Sequence, residues 1–80
     1  MKKSKLNTIL ELIGKKFSHL RKRKGYTSIK NFADDYDLPA IQYWRIEKGR
    51  TNLTVKTLLG LLAIHKLSIE DFFCDLKKLK

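Results

Sequence analysis

Eighty residues, 42% of them apolar, make one small domain with a modest core and leave no chain for a second. No apolar run approaches the roughly 18 to 20 residues of a membrane span, and no signal-peptide core follows Met1-Lys2-Lys3-Ser4-Lys5, so a soluble cytoplasmic protein without a membrane partner is expected. The formal net charge of +10 is uneven, with nine Lys/Arg and one acid in residues 1–24, four of each in 25–50, and five against three in 51–80; a field of that sign attracts polyanions, nucleic acid first, without choosing among DNA, RNA and an anionic membrane.

Residues 1–7 read as a flexible basic lead. Thr8 and Glu11 stand at capping-box spacing before an apolar face of Leu10, Ile13, Phe17 and Leu20, which predicts a first helix from about Ile9 to Lys24, closed by Gly25. Lys15, Lys16, Lys22 and Lys24 fall on its other faces, as a solvated surface or a phosphate-facing flank. Gly14 costs roughly 1 kcal/mol against alanine inside a helix, so it marks either close packing or the true helix start.

Ser28 can cap a second helix whose apolar face is Ile29, Phe32, Ala33 and Tyr36, at i, i+3, i+4 and i+7. Asp37-Leu38-Pro39 interrupts it, and proline pre-sets the first turn of a third helix beginning at Pro39 or Ala40 and ended by Gly49. Tyr43 and Ile46, with Leu38, point inward by spacing. Thr54 caps a fourth helix with Val55, Leu58, Leu59, Leu61, Leu62 and Ile64 on most sides, which should be the most buried element. Ser68 and Asp71 cap a short fifth helix that brings Phe72 and Phe73 onto the core, followed by a basic tail within residues 74–80. Cys74, alone in the sequence, reads as a small apolar residue, His65 as a half-buried core residue and His19 as a surface one. The cluster Asp34, Asp35 and Asp37 reads as a solvated face rather than a metal site. No paired-carboxylate, Cys/His or Ser/His constellation and no Gly-rich phosphate loop is present, so neither an enzyme nor a cofactor or metal site is expected.

In that order, IGKKFSHLRKRKGYT, FA at 32 and 33, WRIEKGRTNLTVKTLLGLL and SIEDFF resemble the lambda-repressor-like, Cro-type helix-turn-helix family of bacterial and phage transcription regulators, over roughly residues 12 to 73. The resemblance implies an all-α, five-helix DNA-binding domain whose third helix, about residues 39–48, enters the major groove of double-stranded DNA while the second crosses the backbone. It matches Arg21 and Glu47 to the family's ion pair between the first and third helices. Ala40, Ile41 and Arg45 match the positions used for base contacts, with Gln42 beside them; arginine suits guanine, glutamine suits adenine, and small apolar groups touch a thymine methyl. Thr27, Ser28 and Lys30 at the start of the second helix, and Lys48, Arg50, Thr51 and Asn52 after the third, are the expected phosphate contacts. Trp44 is placed either against the second or fourth helix, or outward on a sugar-phosphate strand or a partner. The family departs here in its turn, where Asp37 replaces the usual small residue, and at Ser28 and Ile29, where a phosphate-binding glutamine is common. The function implied is repressor-like regulation by a homodimer; the alternative is an antitoxin or adaptor module that uses the same fold to hold a cognate protein.

Overall fold

The computed structural model describes residues 4–76, and among them there are five helices and no strand: α1 (Lys5–Arg23), α2 (Ile29–Asp35), α3 (Ala40–Glu47), α4 (Val55–Ile64) and α5 (Ile69–Leu76). Residues 1–3 of the expected lead and 77–80 of the expected tail lie outside the described residues. The fold is the all-α, five-helix one anticipated from the sequence.

Hydroxyl groups set every helix start but that of α3. Ser28 Oγ accepts from the Asn31 N–H at 3.2 Å, Thr54 Oγ1 from Thr57 at 3.1 Å and Ser68 Oγ from Asp71 at 3.0 Å. Each such cap is worth about 1 kcal/mol. The first helix begins a turn earlier than expected, because Ser4 is an equally competent cap: its Oγ accepts from the Asn7 N–H at 3.1 Å. Thr8 therefore lies inside α1, donating to the Ser4 carbonyl at 3.2 Å, and the Thr8–Glu11 box does not start the helix. The added turn leaves Leu6 exposed, and Ile9 just after it is exposed as well. At the other end of the chain α5 runs on to Leu76, so the tail begins later than Cys74, which is exposed rather than packed.

The first four helices end alike. The residue past each C-cap is left-handed, at Gly25 (φ 97°), Asp37 (57°), Gly49 (68°) and Lys66 (56°). The next N–H then turns back into the helix: Tyr26 to Arg21 O (3.2 Å), Leu38 to Ala33 O (2.8 Å), Arg50 to Arg45 O (2.9 Å) and Leu67 to Leu62 O (3.0 Å). Aspartate tolerates this conformation, whereas at Lys66 the Cβ crowds the following carbonyl.

Phe17, Phe32 and Phe72 are fully buried, with Phe17 and Phe72 rings 4.8 Å apart and Phe32 5.1 Å from Tyr43. His65 is half-buried and stacks on Phe32 at 5.8 Å; burial, helped by the Lys24 charge, lowers its pKa to about 4, so the ring is neutral. His19 is exposed.

Three expectations about burial are corrected. In α4 only Leu58, Leu61 and Leu62 are buried, while Val55 is 66% and Leu59 49% exposed. So small a domain supplies too few neighbours to cover a helix that is apolar all round, and α1, with Leu10, Ile13, Phe17 and Leu20 buried, contributes more to the core than α4 does. Phe72 is buried but Phe73 is not, since adjacent helical residues point about 100° apart. Lys16, expected on a solvated face, is 7% exposed, as its aliphatic stem allows.

Candidate nucleic-acid interface

Two short helices and a tight turn build the site. Asp37 takes the left-handed corner after α2, and Pro39 stands at the N-cap of α3 with no side-chain cap. The eight residues of α3 then divide sharply. Tyr43, Ile46 and Glu47 are buried, whereas Ile41, Gln42, Trp44 and Arg45 are exposed and Ala40 is half-buried.

The buried side is fixed to α1 by two contacts. Arg21 Nε donates to Glu47 Oε2 at 2.8 Å and Nη2 to Oε1 at 3.2 Å, with both side chains nearly buried. The third arm, Nη1, donates to the Tyr26 carbonyl at 2.8 Å, so the guanidinium is bound on three sides, and the Glu47 bond raises its pKa above the ordinary value. The second contact is backbone on backbone at Gly14, where an added Cβ would lie 2.6 Å from the Ile46 carbonyl oxygen and 2.7 Å from the Glu47 carbonyl carbon. Of the two meanings of this glycine, close packing is the one realised. The Tyr43 hydroxyl is buried without a hydrogen-bond partner, and its burial raises its pKa.

On the outer side, Ile41 is 71% exposed, and it shares with Ile29, Lys30, Ala40 and Trp44 a shallow apolar cleft of about 310 Å³ between α2 and α3. Trp44 is 38% exposed and is not packed into the core. Its ring carries the Arg50 guanidinium, 5.2 Å from the centroid. Lys48, Arg50 and Asn52 are exposed and Thr51 half-buried, and all four line a groove with Asn7, Leu10 and Glu11.

At the start of α2, Thr27 is exposed and Ser28 half-buried. Ser28 Oγ is already an acceptor for the Asn31 N–H, so only its O–H remains to donate outward. Lys30 pairs with Asp34 at 2.9 Å, which raises its pKa; both side chains are so exposed that the pair holds weakly. The Tyr26 hydroxyl donates to Asp35 at 2.7 Å, which pushes its pKa up to about 12. Two of the clustered acids are thus engaged locally, and among the described residues no His, Cys, Asp and Glu group is disposed to hold a metal. Sequence reasoning placed Trp44 and Arg50 separately and missed their cation–π contact. The signal was present, since a glycine that turns the chain back brings the next residue onto the last helical turn.

A short helix pinned along one side and bare along the other, entered by a second short helix through a left-handed corner, is the helix-turn-helix of DNA-binding transcription regulators. The chain belongs to that family: it is 32% identical over 73 residues to control protein C.MunI of a Mycoplasma species, in an alignment covering 91% of this chain and 99% of the relative. No family model and no solved structure matches it. The relative is by name a regulatory protein. No helix of the described residues is long and apolar enough to cross a membrane.

Proposed function

We propose that this chain regulates transcription by binding double-stranded DNA sequence-specifically, with α3 in the major groove and α2 across the backbone, and acts by occupying its site. The observation that carries this reading is the division of α3: one side is locked to α1 through Glu47 and Gly14, and the other offers Ile41, Gln42 and Arg45 to solvent. In the groove Arg45 donates two bonds to a guanine, Gln42 faces an adenine, and Ala40 and Ile41 lie on a thymine methyl. Thr27, Ser28 and Lys30 hold one phosphate strand, and Lys48, Arg50, Thr51 and Asn52 the other flank.

Val55 with Leu59, and Ile69 with Phe73, are exposed apolar pairs four residues apart on α4 and α5. They favour a second copy of the chain as partner, giving a two-fold dimer on half-sites about one helical turn apart. A cognate protein at the same residues is the competing reading, and it requires the chain to be monomeric by sedimentation.

Selection of bound duplexes from a random pool tests the reading, and the symmetry of the enriched sequence tests the dimer. Arg45→Ala should flatten base preference at one position by about 1 to 3 kcal/mol. Lys48→Ala should weaken all sequences alike and lower the salt slope by about one. Equal losses by both variants on selected and random duplexes would reverse the assignment of roles.

A further inference from the structure

Trp44 and Arg50 form a unit that the fold alone does not require. Gly49, left-handed at φ 68°, turns the chain back so that the Arg50 N–H reaches the Arg45 carbonyl at 2.9 Å. At this kind of helix end the residue after the glycine commonly lays an apolar side chain on the last turn. Here a cation fills that place, with the Arg50 guanidinium carbon 5.2 Å from the centre of the Trp44 ring. A guanidinium held over a ring face by cation–π attraction can keep its rim of N–H donors open. Arg21, by contrast, spends its donors on Glu47 and Tyr26 inside the domain.

We propose that Trp44 is a positioning residue: it holds the Arg50 guanidinium on the indole face so that the donor rim meets a DNA phosphate beside α3, and does not itself touch the duplex. The inference rests on the reading of this chain as a duplex binder. A free arginine must give up its rotor freedom to grip a phosphate, and one already laid on an indole has lost part of it beforehand.

The test is the affinity for one fixed duplex over a range of salt, measured for wild type, Trp44→Ala, Trp44→Phe, Arg50→Ala, Arg50→Lys and the double alanine variant. Arg50→Ala should lower the slope of log affinity against log salt by about 0.9, the loss of one phosphate contact. Trp44→Ala should weaken binding about two- to fivefold, the size of an exposed cation–π contact, and should add nothing once Arg50 is alanine. Trp44→Phe should restore most of the affinity. Arg50→Lys keeps the charge but not the planar guanidinium with its fork of donors, and should match Trp44→Ala with Trp44 itself untouched. Additive losses at the two positions, or Trp44→Phe as weak as Trp44→Ala, overturn the inference, because Trp44 would then act on the duplex or the core directly. A wild-type chain that binds no duplex overturns both this inference and the reading beneath it, whereas duplex binding with additive losses overturns this one alone.

Discussion

Gly14→Ala should destabilise the domain although alanine is the better helix former. Helix propensity by itself favours the change by about 1 kcal/mol. Against it, the new Cβ would stand 2.6 Å from the Ile46 carbonyl oxygen and 2.7 Å from the Glu47 carbonyl carbon, well inside ordinary contact. The atoms met are α3 backbone rather than a side-chain tip, so no rotamer change relieves the overlap and the two helices must part. Overpacking of this kind costs about 1 to 3 kcal/mol; here the upper end applies, since Glu47 also carries the bond to Arg21. The net loss is then about 2 kcal/mol, a fall in Tm of about 8 to 16 °C for a domain of this size. Thermal denaturation followed by circular dichroism reads it. Gly60→Ala in α4 is the control, since a Cβ there meets nothing within 4 Å and propensity alone should raise Tm. A rise in Tm for Gly14→Ala comparable to that of Gly60→Ala would refute the close approach of α1 and α3.

Glu47→Ala should cost about 3 to 5 kcal/mol by stranding the buried Arg21 charge, and an unchanged Tm would rule out the pair as an anchor. Lys66→Gly should stabilise by about 1 kcal/mol, because glycine adopts the left-handed conformation at φ 56° without crowding; chemical denaturation would show it as a higher midpoint. His65 gives a pH dependence of known sign: its folded pKa of about 4 lies below the ordinary 6.5, so the unfolded chain takes the proton first. Stability should therefore fall as pH drops from 6.5 toward 4, by at most about 1.4 kcal/mol per unit, and then level off. His65→Leu should flatten that part of the curve, and equal Tm losses for both proteins between pH 7 and 4.5 would contradict the assignment.

What was legible in the sequence was chiefly local. Ser28, Thr54 and Ser68 act within three residues, and Gly25, Gly49 and Pro39 shape the backbone at their own positions, so these boundaries follow from side-chain chemistry alone. The start of α1 did not, because Ser4 and Thr8 are rival caps and the choice depends on whether an extra turn can be carried. Burial in α4 failed for a different reason: an apolar circumference says that a helix wants partners, not that its own chain supplies them. Lys16 shows the converse, a charged residue whose stem is covered. In the candidate interface the outward placement of Ile41, Gln42 and Arg45 follows from the inward spacing of Tyr43 and Ile46. The engagement of Lys30 by Asp34 was readable from an i,i+4 spacing that the phosphate assignment passed over.

The left-handed residues on either side of α3, Asp37 before it and Gly49 after it, bear on how such a protein can diverge. Between them the helix has a set length and a set rotation, and inserting one residue would turn the outer side by about 100° and carry Glu47 away from Arg21. Length changes in α3 are thereby closed to this fold. Point substitutions at Ile41, Gln42 or Arg45 remain open, because those side chains lie outside the core and can be exchanged with little cost to folding. If α3 reads DNA as proposed, a lineage built on this domain can revise what it recognises one residue at a time while its architecture stays still.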